Sequence, residues 1–577
     1  MIIQALVRRY EDTQSAPLGW KKRAVTHALN LSEEGKLIQV IPLEWEDTTS
    51  FGGKPKKVMR KRELVLPVSG VRSSGIKGAF LCDDASYMFG MDEKRGDAKF
   101  EASKDLHFSL LENVNSPSAN AIKAWFDTDD RTERVEQLKI EIPNEKELEK
   151  AVFVFQVNGV NVDFDDYDIR TIWNASYSKV DENQGEKIRC LVTGKLDAPE
   201  RIHEKVKLRG GQSAGSNLVS ANAESFTSYS KTKDDRAADI GKYAAFAHVT
   251  ALNDLLQNEK HRKWIGGDTL VYWAETNSEP EAEAFGDWLD FQPTEEDSDK
   301  LSAAMENMAT AKHFNFNNCN MSQPFYLLCL SPNAARASVR FFHSDTFGNI
   351  MDNLREHYRH LEIVSDNMTK FQYLPFWVIL SETTVTKEAG KATPLLGGQL
   401  MHSILKGTKY PQTLYNAILT RIRAGEQINQ TKAAVIKAVL IKNFKETEVT
   451  KVNLNDETSN KPYVLGRLFS VLEQLQNRAS DWKLSATIRD KYFASACANP
   501  SNVFPTILKL SMHHAAKLEN STFYESLKGK LLSKLEAENP FPTTLGLEDQ
   551  GKFILGYYHQ KQSFFTKNDQ NKEANND

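Results

Sequence analysis

Near its end the chain carries a run of apolar residues that only a helix can gather onto one side. Leu465, Leu468, Phe469, Leu472 and Leu475 recur at i, i+3, i+4, i+7 and i+10, whereas a strand would scatter them over both of its faces. Ile488 and Tyr492 share a second such face. Phe504, Leu508, Ala515 and Leu518 continue a third behind the helix start at Pro500-Ser501-Asn502. Tyr524, Leu527, Leu531 and Leu535 make a fourth, and Gly546 to Phe564 completes the set. Helices with short links hide such stripes against one another, so 446–565 reads as an antiparallel bundle. The residues beyond it, 566–577, form a polar tail, TKNDQNKEANND, expected to be disordered.

Upstream the pattern is mixed. Ile2–Val7 and Leu37–Leu43 read as strands, 115–150 as helical, and AVFVFQVNGVNVDF (151–164) as a strand pair turning at Asn158-Gly159. Tyr243–Leu256 reads as helix, Gly267–Trp273 as strand, Phe325–Phe342 as two strands around Ser331-Pro332-Asn333, and 396–445 as helical. The fold class expected is therefore α+β: a mixed α/β region over 1–445, with room for two or more subdomains, and the helical bundle after it. A chain of 577 residues exceeds what one core can serve.

Composition excludes more than it identifies. The formal charge is only −4, so a nucleic-acid binder of this size must concentrate its cations in patches. The five cysteines, Cys82, Cys190, Cys319, Cys329 and Cys497, include no C-x-x-C pair, which argues for buried free thiols rather than a zinc site or a disulfide framework. The apolar run at the N-terminus is too short for a signal peptide. No stretch of about 18 apolar residues suggests a membrane span. The cytoplasm is the expected compartment.

The usual catalytic patterns fail one by one. Gly210 and Gly215 have P-loop separation, but Ser216-Asn217 follows where Lys-Ser/Thr is required. Asp163, Asp165, Asp166 and Asp168 cluster as a metal-dependent nuclease would need, yet also fit a solvated turn after a strand. His357 and His360 sit at i, i+3 without an evident third ligand and read as part of a surface helix. More informative is KPKKVMRKR (54–62), six basic residues in nine, ahead of the loop VRSSGIKGAF. Lys56, Lys57, Arg60, Lys61 and Arg62 can hold phosphates, and Arg72, Ser73, Ser74 and Lys77 can reach base edges. A solvated hairpin is the competing reading. Lys205, Lys207 and Arg209 before Gly210 and Gly211 repeat the design.

These segments resemble the large subunit of type I-C CRISPR surveillance complexes, the Cascade type. LPVSGVRSSGIKGAFLCDDASYMFG (66–90), CLVTG (190–194), His203 and GGQSAGSNLVSANAESFTSYS (210–230) carry the resemblance first. It continues in FYLLCLSPNAARASVRFF (325–342) and PLLGGQLMHSILKGTKYPQTLYNAILTRIRAG (394–425). It ends in LGRLFSVLEQLQ (465–476), TIRDKYFASACANPSNVFP (487–505) and LEDQGKFILGYYHQKQ (547–562). Ser228-Tyr229-Ser230 departs from the family's usual Ser-Tyr-Gly.

The resemblance implies a non-catalytic subunit without a cofactor. It implies recognition of the protospacer-adjacent motif on double-stranded DNA, help in opening the duplex, and recruitment of a separate helicase-nuclease for antiviral defence; guide RNA pairing reads the rest of the target. The implied partners are the complex's backbone subunits, its guide-processing subunit, separate small subunits and target DNA. In the bundle, which resembles the small subunit, Arg467, Arg489, Lys491, Lys509 and Lys517 are expected to line a single-strand path. The alternatives are a nuclease built on Asp163–Asp168 and a scaffold without DNA contact.

Overall fold

The computed structural model describes residues 1–13, 16–51, 54–69, 75–127, 130–182, 187–221, 223–226, 238–276, 279–290, 319–365 and 374–573. The chain divides into two units, Met1–Lys207 with Ser213–Asp254, and Leu208–Gln212 with Leu255–Asp577.

The first unit begins with α1 (Ile2–Thr13), where β-branched residues suggested a strand. Ala5, Leu6, Arg9 and Tyr10 are buried along it, an i, i+4 stripe whose packing overrides the local preference of Ile2, Ile3 and Val7. The strands β1 (Trp20–Val25), β2 (His27–Leu31), β3 (Leu37–Pro42), β4 (Glu44–Phe51), β5 (Lys54–Pro67), β6 (Cys82–Asp84), β7 (Val152–Val157) and β8 (Val160–Asn161) build two sheets. One runs β3-β2-β7-β6, with β8 added to β7; the other runs β1-β5-β4. Strands β2 and β7 pair in parallel, and β7 turns into β8 through Asn158-Gly159, both at positive φ.

Strand β7 is covered on both sides. Phe153, Phe155 and Val157 join one core cluster, and Val154 joins another with Val25, Leu64, Leu66 and Cys82. That two-sided burial explains why its sequence is continuously apolar rather than alternating. Helices α2 (Ala85–Met88), α3 (Gly96–Leu111), α4 (Pro117–Asp127), α5 (Arg131–Glu141), α6 (Glu145–Leu148), α7 (Tyr167–Glu182) and α8 (Lys242–Gln257) complete this part, with the short pair β9 (Ile188–Arg189) and β10 (Leu196–Asp197). The division between units falls inside α8.

The second unit holds an antiparallel sheet, β11 (Arg262–Ile265), β12 (Asp268–Ala274), β13 (Pro324–Asn333) and β14 (Arg336–Thr346), paired in chain order. Strand β13 runs through Ser331-Pro332-Asn333, and the reversal comes two residues later than expected, with Ala334 at φ 49°. The helices are α9 (Glu279–Asp290), α10 (Phe347–Leu361), α11 (Phe376–Ser381), α12 (Pro394–Leu405), α13 (Gln412–Arg423), α14 (Gln430–Phe444), α15 (Lys461–Ala479), α16 (Ile488–Ala498), α17 (Pro500–Ala515), α18 (Thr522–Leu532) and α19 (Leu547–Glu573). The α+β class is as expected.

All five stripe residues from Leu465 to Leu475 are buried. Four of them, Leu465, Leu468, Phe469 and Leu472, belong to a core that runs without a break from Ile265 and Leu327 on the sheet to Tyr558 on α19. Two expectations fail here. His357 and His360 are buried on α10 rather than exposed; His357 Nδ1 meets the Tyr410 hydroxyl at 2.7 Å. The polar tail does not end the order, because α19 extends to Glu573.

Candidate nucleic-acid interface

The basic cluster lies on β5. Residues Arg62–Pro67 pair with β1, while Lys54–Lys61 pair with β4, so the basic half is a two-stranded arm. Its cations are answered across the arm. Lys57 pairs with Glu46 at 2.6 Å, Arg60 with Asp47 at 2.6 Å and Lys61 with Glu44 at 3.2 Å. These pairs reach solvent, where screening leaves them weak, so phosphates can displace the carboxylates at low cost. The solvated-hairpin reading thus describes the geometry of the arm. Lys56 stands opposite Thr49, and Arg62 is exposed at the base. Trp45 and Met59 are 50% and 56% exposed on the same arm, an apolar component the basic pattern had hidden.

Arg72, Ser73 and Ser74 lie outside the described residues. Lys77 is exposed on the segment that follows, and that segment is firmly tied. Leu81, at φ 64°, donates its N–H to His107 Nε2 at 3.0 Å, so the ring proton sits on Nδ1 and donates to Ser103 O at 2.7 Å. Burial pushes the His107 pKa down to about 4, which keeps the acceptor nitrogen bare at neutral pH. Buried Asp83 accepts from Ala79 N at 3.0 Å, and Asp84 caps α2 through Ser86 N. Gly78 passes so close to α3 that a Cβ would stand 2.9 Å from Ala102 O. The Gly-rich spelling of this loop therefore reflects close packing at Gly78 and a left-handed turn at Gly75, φ 82°.

The aspartate cluster is an organised turn. Asp163 Oδ1 accepts from Asp165 N at 3.0 Å, and Asp166 Oδ1 accepts from Ile169 N at 3.1 Å near the start of α7. Burial raises the Asp163 pKa. Among the described residues no group of three or more His, Cys, Asp or Glu is arranged to hold a metal ion, and no helix is long and apolar enough to cross a membrane.

Of the bundle's five cations, two are spent on the interior. Arg467 is 1% exposed; it bonds Asp456 at 2.6 Å, Gln560 Oε1 at 3.0 Å and Asn455 O at 3.2 Å. Arg489 is buried and donates to Glu426 O at 2.5 Å. Neither presents a surface to a strand: Arg467 lies in the stretch of α15 that is buried throughout, and Arg489 is buried at the start of α16. Lys491, Lys509 and Lys517 are exposed.

The second Gly-rich segment straddles the division between the units. Lys205 is half-buried and Lys207 exposed in the first unit, where Val206 and Ser216 form an isolated bridge. In the second unit Gly210 takes φ 75°, and Gly211 N donates to Leu208 O at 3.1 Å, which removes that N–H from phosphate binding. Arg209 is exposed, and its guanidinium lies 4.2 Å from the centroid of Trp264, with Arg262 at 5.1 Å from the same ring. Sequence reading missed Trp264 and Arg262. The available signal was an aromatic between cations, Arg262-Lys263-Trp264, just before a Gly-Gly turn.

Compared with known protein families, the chain matches the model described as CRISPR-associated protein (Cas_Csd1) over residues 4–565. No individual curated protein matches it.

Proposed function

The chain belongs to the Cas_Csd1 family of CRISPR-associated proteins, and from that premise we propose that it is the non-catalytic large subunit of an RNA-guided type I-C complex. In this reading it recognises the protospacer-adjacent motif on double-stranded DNA in the cytoplasm, assists opening of the duplex and recruits a separate helicase-nuclease. The observation that carries the reading is the reach of the family match, residues 4–565, which takes in the basic arm, both Gly-rich segments and the helical end.

The physical roles follow from the arm and the tied loop. Lys57, Arg60 and Lys61 exchange weak cross-strand pairs for phosphates, exposed Arg62 adds a further cation, and counterions are released, which supplies affinity without sequence information. The segment around Lys77, pinned by His107 and Asp83, gives the adjoining Arg72-Ser73-Ser74 a rigid base from which to read base edges.

The test is a complex reconstituted with its guide and titrated with target duplexes bearing different flanking motifs at several salt concentrations. Lys56→Ala with Lys57→Ala weakens binding to every motif alike and flattens the salt dependence by about 0.9 for each phosphate no longer neutralised. Arg72→Ala narrows the difference between good and poor motifs; unchanged discrimination would refute this placement of the reader. Cleavage of labelled DNA by the purified chain with Mg²⁺, abolished by Asp165→Ala, would refute the non-catalytic assignment.

A further inference from the structure

Trp264 is 48% exposed, whereas Trp273 on the adjacent strand is 0% exposed and stacks on Tyr326 at 5.3 Å. The two residues show what the same side chain does when it is structural and when it is not. Trp264 lies on β11, the edge of the four-stranded sheet. The Arg262 guanidinium is already committed: it donates to Leu256 O at 2.5 Å and pairs with Glu259 at 3.5 Å. Arg209 has no carboxylate partner among the described residues, and its guanidinium rests on the indole. The left-handed Gly210 sets the chain beside Pro332 of β13, which fixes the loop carrying Arg209 at this end of the sheet.

A half-exposed indole carrying a guanidinium that has no carboxylate partner among the described residues matches one chemistry closely. Unpaired bases present bare π faces that stack on Trp, and their phosphates accept from Arg. Bases in a duplex are stacked on each other and offer no such face. We infer that the Trp264 patch is a stacking site for an unpaired base of single-stranded DNA, with Arg209 on the neighbouring phosphate. The inference rests on the proposed role in handling opened target DNA and adds to it a place where the opened strand is held.

The experiment uses the assembled complex and a labelled oligothymidylate, followed by fluorescence anisotropy, with a duplex that carries the flanking motif but has no complementarity to the guide, and so stays closed, measured in parallel. Trp264→Ala is expected to weaken the single strand by roughly 10- to 100-fold, the range for removing one base stack, and Trp264→Phe to keep most of the affinity. Arg209→Ala is expected to lower the salt slope by about 0.7. For the Trp264 variants, affinity for the closed duplex and the melting temperature stay as in the parent. A Trp264→Ala complex that melts normally and binds the oligonucleotide as the parent does overturns the inference, as does an equal loss for single strand and duplex. Should Trp264→Ala melt early, 5-iodouracil crosslinking of the unaltered complex decides: a crosslink to the peptide holding Trp264 supports the site, and crosslinks elsewhere alone overturn it. If the parent still discriminates motifs while Trp264 variants bind normally, this inference falls and the functional reading stands. If the parent binds no DNA, the functional reading falls and takes this one with it.

Discussion

A single arginine shows how charge and position separate. Arg467 follows Leu465 on the apolar stripe and looks from its sequence like a cation at the edge of a helix face. In the fold, α15 is buried continuously from Tyr463 to Leu475, so its polar positions are interior too, and each needs a partner. Burial works to raise the pKa of the partner Asp456, but hydrogen bonds from Lys530 and Arg467 prevail and hold it at about 2. Arg467→Ala leaves Gln560 Oε1 and the Asn455 carbonyl without their donor, while half-exposed Asp456 keeps Lys530; the expected cost is about 1–3 kcal/mol, that of leaving buried acceptors unpaired. Denaturant unfolding measures this. Affinity for single-stranded DNA should be unchanged in the folded fraction, and a selective loss of that affinity at unaltered stability would restore the single-strand role.

At the scale of elements, the helices α15 and α19 are the clearest case of a pattern read correctly whose closeness was not. The stripe gives the helix; glycine gives the distance. A Cβ on Gly466 would stand 1.9 Å from Phe553 O, and one on Gly556 would stand 2.1 Å from Tyr463 O. Both positions face backbone, which cannot swing aside. Gly466→Ala should therefore destabilise by at least about 1–3 kcal/mol despite its better helix propensity, and Gly529→Ala, which meets nothing within 4 Å, should be neutral or slightly stabilising. Thermal melts of the two variants check the contrast. The arm of β4 and β5 was partly legible: its basic run was plain, but the register that sets Glu44 against Lys61 and Trp45 against Arg60 depends on how two strands align.

Across the whole molecule, buried histidines recur in both units. Burial is the largest cause in each case, and it lowers the pKa to about 4 for His107, 3 for His203 and 4 for His248 in the first unit. In the second unit it is lowered to about 3 for His357, 4 for His360 and 3 for His559. Between these values and the ordinary 6.5 the unfolded chain binds more protons than the folded one, so stability falls as pH drops through that window. Each group contributes up to about 1.4 kcal/mol per pH unit there. Urea midpoints should be flat from pH 8 to 7 and decline from about pH 6.5 towards 4; a flat response over the lower range would show that these rings are solvated. His107→Gln should lessen the decline.

The sequence by itself determined the fold class, the helical end, several of the strands and the family, because periodicity and local motif are properties of neighbouring residues. It also exposed the basic arm. Only the tertiary structure decided which cations are available. Arg467 and Arg489 carry the same charge as Arg209, but enclosure removes two of them from solvent and leaves the third beside an open indole. That site joins residues far apart in the chain, one from a Gly-rich loop and one from an edge strand. No pattern within either segment encodes their meeting, since it follows from how the loop crosses the end of the sheet.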